Sequence, residues 1–315
     1  MTLTAVLLIA ASAIAHALWN WLGKRQGSTA VFFFTANLMG WLCLLPVLPF
    51  AARALPAMLV SAWRLLLVTG FFQALYYASL ASAYRDGDLS MVYPIVRSAA
   101  VLFVTLANVV LGRAGELGPL AVAGSFLIVF GILLLPHAGF RGITLRGFRS
   151  RGVLFALLAA VGTMGYSIVD DQALRILRPA LAPMAPTVTT LLYALLEGAS
   201  TSLWLGGFIV ASAARRSRTS GVAAGSGVPP LQAFRIPPGQ LRPALLSGIA
   251  IFVAYTLVLI AMGFARNVTY IVAFRQMSIP IGVLLGLAVL GEPLNPPKIV
   301  GVLAVTAGLV LVAVG

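Results

Sequence analysis

The sequence predicts an all-α membrane protein of ten transmembrane helices, arranged as two inverted five-helix repeats. Three observations carry that expectation. The first is composition: 61% of the 315 residues are hydrophobic, 9% are charged, and the mean hydropathy is +1.03. A soluble domain has roughly 45–50% apolar and about 25% charged residues. The second is that the apolar residues fall into ten runs. Each lies near the ~20 residues that a helix needs to cross a hydrocarbon core of about 30 Å. The third is that the two halves of the chain repeat one another in order.

The runs are Leu3 to Leu22, Thr29 to Ala51, Trp63 to Tyr84, Leu89 to Gly112 and Leu117 to Leu135 in the first half. In the second half they are Val153 to Ala173, Pro186 to Ala214, Leu241 to Ala265, Val268 to Leu290 and Pro296 to Val314. The first run has no basic residue before it, is near full span length and is followed by Lys24 and Arg25, so it reads as a retained helix and not a signal peptide. The repeats divide at 1–138 and 139–315. Residues 215–240, rich in Arg, Ser, Gly and Pro, read as a flexible loop.

A net charge of +14 raises the question of a nucleic-acid partner. The 21 basic residues, however, sit mostly in short turns between apolar runs. No basic face interleaved with stacking aromatics is visible, so a nucleic-acid partner is not expected. Loop arginines at the headgroup level explain the charge. The single cysteine, Cys43, lies in an apolar run and reads as packing. No cofactor is expected, and no Gly-x-x-x-x-Gly-Lys-Ser/Thr phosphate loop is present.

The repeat is legible residue by residue. Shifted by 150, AHALWNWLGKR from Ala15 to Arg25 lies on GYSIVDDQALR from Gly165 to Arg175. His16 then matches Tyr166, Asn20 matches Asp170 and Arg25 matches Arg175. Shifted by 178, Gly70 matches Gly248, Tyr77 matches Tyr255, Ala83 matches Ala261 and Arg97 matches Arg275. After that, once two extra residues are allowed in the first half, Gly115-Glu116 matches Gly291-Glu292, and Gly124 and Gly131 match Gly301 and Gly308 at the same spacing of seven. Five helices is an odd number, so the second half enters the membrane upside down relative to the first. Inverted repeats with a site near the midplane are the architecture of secondary transporters.

These residues resemble the drug/metabolite transporter superfamily, in particular its EamA-type ten-helix members. The resemblance rests on HALWN followed by Lys24, VYPIVR at Val92 to Arg97, the Gly115-Glu116 turn with Gly124 and Gly131, and YIVAFRQ through LGEPL at Tyr270 to Leu294. It covers essentially the whole chain. It implies a central cavity lined by the first, third, fourth, sixth, eighth and ninth helices, and transport without ATP. The expected function is export of small metabolites, such as amino acids or drug-like solutes, by alternating access across the bacterial inner membrane. The expected partners are the lipid bilayer, a small-molecule substrate and a coupling ion, proton or sodium. The chain would act as a monomer or homodimer. The readings set against this are an intramembrane lipid-acting enzyme and a non-transporting scaffold.

Polar residues inside the runs mark the candidate site, because a charge at mid-bilayer costs about 2.5–3.5 kcal/mol on insertion scales. His16, Trp19 and Asn20 share one face of the first helix. Thr163, Tyr166 and Asp170 share the matching face of the sixth, with Asp171 turned about 100° away. Gln73, Tyr76 and Tyr77 cluster in the third helix, and Tyr255 repeats Tyr77 in the eighth. Arg97, with Tyr93 one turn before it, and its mate Arg275 are natural partners for a carboxylate or phosphate. The bland alternatives are helix–helix hydrogen bonds for His16 and Asn20, aromatic-belt positions for the tyrosines, and structural ion pairs for the arginines. Glu197, in the peripheral seventh helix, reads as structural. Glu116 and Glu292 read as helix-start carboxylates. The basic residues of the turns divide 13 to 6 between the two faces, which by the positive-inside tendency puts the termini outside, whereas the resemblance implies termini inside.

Overall fold

The computed structural model describes residues 2–25, 29–87, 89–137, 139, 150–219, 230–281, 283 and 293–315. Its elements are α1 (Leu3–Arg25), α2 (Ala30–Leu42), α3 (Leu48–Ala51), α4 (Leu55–Asp86), α5 (Leu89–Val110) and α6 (Pro119–Leu134). They continue as α7 (Arg151–Ala180), α8 (Pro186–Thr219), α9 (Leu241–Met262), α10 (Val268–Phe274) and α11 (Pro296–Val314). Short 3-10 turns join some of them, and no strand occurs among the described residues. Seven helical stretches among these residues are long and apolar enough to cross a membrane, and Leu3–His16 and Pro119–Leu134 are shorter apolar helices.

Local sequence explains the helix starts. Thr29 accepts from the Phe32 N–H at 3.1 Å, Ser150 from that of Val153 at 3.3 Å, and Asn267 from that of Thr269 at 2.8 Å. Each satisfies a donor that has no partner within its own helix. Proline opens α4, α6 and α11, where its missing N–H costs nothing.

The helices depart from the expected runs in several places. The second run breaks after Leu42, where Pro46 and Pro49 set a 3-10 turn and then α3. Helix α4 begins at Leu55 and not Trp63, with exposed Arg64 laying its guanidinium 5.2 Å from the Trp63 ring. Helix α7 runs past Ala173 to Ala180, because Arg175 and Arg178 find carbonyl and side-chain partners there. Helix α8 continues to Thr219, so the expected loop at 215–240 is helical at its start and holds 3-10 turns at Pro230–Phe234 and Pro238–Gln240. Residues 220–229 lie outside the described residues. Cys43 is exposed, which corrects its reading as a packing residue.

The side chains are distributed inside out compared with a soluble protein. Phe50, Val60, Val110, Phe126 and Leu303 point outward, while Thr69, Asn108, Ser167, Asp170 and Glu197 are buried. An apolar exterior this extensive requires lipid as solvent. The chain is a multi-pass helical membrane protein.

In lipid, close packing replaces the hydrophobic effect as the force between helices, and small residues permit it. Helix α4 packs on α7 and α8, α1 and α2 pack on α9, α5 on α7, and α6 on α11. The α6–α11 contact is backbone against backbone. A Cβ at Gly124 would lie 2.6 Å from the Gly308 carbonyl oxygen, and one at Gly131 would lie 2.6 Å from that of Gly301. Replacing Gly124 or Gly308 by alanine is therefore expected to cost about 1–3 kcal/mol through overpacking. Gly115→Ala, whose Cβ would meet nothing within 4 Å, should leave the melting temperature unchanged. Thermal unfolding of the three variants in detergent checks this.

Candidate functional site

Three polar clusters interrupt the apolar interior. The first surrounds Arg97, on the buried face of α5. Its Nη1 lies 2.8 Å from His16 Nε2, and its Nη2 donates to the Arg275 carbonyl oxygen at 3.0 Å and to Ser278 Oγ at 2.9 Å. Trp19 Nε1 donates to the other ring nitrogen of His16, Nδ1, at 3.0 Å. Arg275 follows α10 in a 3-10 turn and reaches Tyr166 OH at 3.4 Å. Between the two guanidiniums lies a cavity of about 20 Å³, lined also by Tyr76, Thr163, Tyr166 and Gln276. That is room for about one water molecule.

The second cluster is built on Asp170 of α7, which is 0% exposed. Thr69 of α4 donates to Oδ1 at 2.6 Å, Tyr193 of α8 to Oδ1 at 2.8 Å, and Tyr255 of α9 to Oδ2 at 2.5 Å. Three hydroxyls from three helices thus replace the water that burial removes. Glu197 is 1% exposed, one helical turn beyond Tyr193, and accepts from Thr201 at 2.8 Å. An aromatic arc joins the two clusters. Ring centroids step from His16 to Trp19 (5.0 Å), Phe33 (6.3 Å), Tyr77 (5.4 Å), Tyr76 (5.3 Å), Tyr166 (6.0 Å) and Tyr255 (6.2 Å).

The third cluster is a clasp at the end of the bundle where both chain termini lie. Asp171, with 2% of its side chain exposed, takes Arg113 at 3.1 Å and Arg175 at 2.9 Å on one oxygen. Arg175 also lies 3.6 Å from Glu116 and donates to the Arg266 carbonyl. Asn267 donates to Glu116 at 2.9 Å and to Asn108 at 3.0 Å. Tyr270 OH accepts from the Gly118 N–H at 3.0 Å and donates to the Gly315 carbonyl at 3.2 Å. The clasp ties the α5–α6 turn to α7 and to the start of α10.

The expected site residues therefore separate. Arg97, Tyr166 and Arg275 line the cavity, His16 and Trp19 support Arg97 from behind, and Asp170 and Tyr255 form the adjoining cage. Tyr77 is buried and stacked on Phe33, Gln73 is buried one turn from Thr69, and half-buried Tyr93 is not among the cavity-lining residues. Asn20 lies within α1, and its side chain is outside the described residues, as is Glu292. Glu116 does not cap a helix: α6 is preceded by Gly118 and has no side-chain cap, so that reading is corrected to a clasp carboxylate. Thr69, Tyr193, Arg113, Asn108 and Asn267 were not singled out in the sequence. The i, i+4 spacing of Asp171 and Arg175 was the available signal for the clasp.

No family model and no curated protein matches the sequence. Among solved structures, one described only as the crystal structure of a protein superposes with a TM-score of 0.63 at 16% identity, over 100% of this chain and 98% of its own. A likeness at that identity is one of fold.

The cage makes a quantitative expectation. Tyr193→Phe and Tyr255→Phe should each destabilise the protein by about 1.5–3 kcal/mol, the worth of a hydrogen bond to a charged acceptor. The double variant should depart from additivity because both hydroxyls share one carboxyl group. A double-mutant cycle read by thermal unfolding checks both points.

Proposed function

We propose that the chain is a secondary active transporter of small metabolites, an EamA-type member of the drug/metabolite transporter superfamily. In this reading ten spans form two inverted repeats, and the cavity between Arg97 and Arg275 alternates between the two sides of the membrane. Export across the bacterial inner membrane, coupled to protons or sodium, is the direction it favours.

One observation carries the reading: contacts in the structure are exchanged by the sequence repeat. Arg97 meets His16, and Arg275 meets Tyr166. The shifts of 178 and 150 that align the halves turn the first pair into the second. The same holds for the glycines, since the Gly124–Gly308 contact maps onto Gly301–Gly131. Gly70 and Gly248 are mates as well. A Cβ on Gly70 of α4 would strike Ser200 of α8, and one on Gly248 of α9 would strike Ala36 of α2. Contacts that interchange in this way are what a two-fold axis between repeats produces, and such pseudo-symmetry underlies alternating access.

In this reading the clasp is the closed gate of one side. Solute flux into proteoliposomes, followed over a panel of metabolites, tests the function. Saturable, protein-dependent exchange of at least one solute is expected, and its absence across the panel would count against transport. Asp171→Asn removes the shared anion of the clasp and should favour the state open on the terminal side. A cysteine placed at Thr163, in a Cys43→Ala background, should then react several-fold faster with an impermeant thiol reagent added from that side. An unchanged rate would mean that the clasp is not a gate.

A further inference from the structure

We infer that the cavity between Arg97 and Arg275 is an oxyanion site, and that the transported solute carries a carboxylate or a phosphate that bridges the two guanidiniums. The inference rests on the transporter reading for its consequence, but its physical basis is a local imbalance of charge and of hydrogen-bond donors.

Charge comes first. Asp170, Asp171, Glu197 and Glu116 all have partners elsewhere: the hydroxyl cage, the clasp arginines and Thr201. Among the described residues no carboxylate pairs with Arg97 or Arg275. Two cations within one apolar bundle and without a counter-ion are expensive, and such groups in membrane proteins mark pathways for charged species.

The donor count agrees. Arginine and the tryptophan indole are donors only, and a neutral imidazole offers one acceptor nitrogen. His16 nevertheless has Trp19 Nε1 against one ring nitrogen and Arg97 Nη1 against the other. Whichever tautomer it adopts, one of those two donors faces an N–H or goes unmet. Arg97 Nε is buried and makes no hydrogen bond, and the Arg275 contact to Tyr166 is long at 3.4 Å. Against this excess stands one unpartnered acceptor in the cavity wall, Gln276 Oε1, a neutral amide oxygen. A planar or tetrahedral oxyanion supplies the missing acceptors and the missing charge together, and the guanidinium fork fits either shape. The cavity holds only about 20 Å³, so the rest of the solute must occupy space that opens when the bundle changes state. Tyr76 and Tyr166, on the adjoining wall, offer it ring surface.

The test uses the full-length protein in detergent at fixed ionic strength, with benzoate, phenyl phosphate and the neutral isostere benzamide as probes. Both anions should raise the melting temperature in a dose-dependent way, and benzamide should not. Arg97→Gln and Arg275→Gln should each weaken the response by roughly tenfold or more, as expected for loss of a charged hydrogen bond. His16→Glu guards against variants that merely fail to fold. It places a carboxylate beside Arg97, so it should melt at or above the wild type without ligand and lose the response to anions. Equal stabilisation by benzamide and benzoate, no response to either anion, or a His16→Glu protein that melts lower and still responds would each overturn the inference. Flux in proteoliposomes separates it from the transporter reading. A protein that exchanges neutral solutes without any anion response loses the oxyanion site but keeps transport. One that binds the anions and moves nothing keeps the site and loses transport.

Discussion

A helical bundle dissolved in lipid cannot send a buried polar group to water, so each one must be answered by another side chain or carbonyl within the bundle. That constraint organises this structure. Asp170 sits at the meeting of α4, α7, α8 and α9 because three hydroxyls, one from each neighbouring helix, converge on it. Asn37 of α2 is held in the same way by the Gly198 carbonyl and Ser202 of α8. Arg178 donates to the Leu259 carbonyl and to Thr190, joining the end of α7 to α8 and α9. Elsewhere the helices meet through glycine, where backbones approach too closely for any side chain.

Three buried serine hydroxyls, of Ser167, Ser200 and Ser247, make no hydrogen bond, but among the charged groups described it is at the cavity between the two arginines that satisfaction is incomplete. The other buried ionic groups among the described residues have identifiable answers, and here donors outnumber acceptors. A structural bundle gains nothing from such an imbalance, which weakens it. A transporter gains a site whose incompleteness is relieved only when the solute is bound. The clasp behaves in the opposite way. Asp171, Glu116, Arg113 and Arg175 satisfy one another across the two halves of the chain, so closing that end is favourable without ligand. Under the transporter proposal, a satisfied clasp next to an unsatisfied cavity is the arrangement expected of an occluded state.

Much of this was legible in the sequence, because lipid solvent writes strong signals. The apolar runs gave the helices, and the scarcity of charge made Arg97, Asp170 and Arg275 conspicuous. The paired matches fell on residues that make matching contacts, Arg97 with His16 and its mate Arg275 with Tyr166. What was not legible depended on neighbours distant in the chain. Thr69 and Tyr193 are ordinary residues until Asp170 faces them. Asp171 read only as turned away from the candidate face, because its partner Arg113 lies in a turn 58 positions away. Glu116 had the local pattern of a helix start, but the one N–H there with a side-chain partner, that of Gly118, donates to Tyr270 OH instead. Helix ends moved for a related reason. Prolines within the second run act through backbone geometry, and the basic residues beyond the sixth through hydrogen bonds to distant partners, neither of which hydrophobicity registers.

The central claim is that the two ends of the bundle open in alternation about the arginine cavity. Pulsed electron-spin distance measurements in lipid nanodiscs test it directly. One label pair would sit at exposed positions on the clasp end, Leu111 and Phe264, and a second on the opposite end, Arg85 and Arg242. The account predicts two distance populations in each pair, with the short distance at one end accompanied by the long distance at the other. Asp171→Asn should move both pairs in opposite senses. A single population at both ends that stays unchanged in that variant would contradict it.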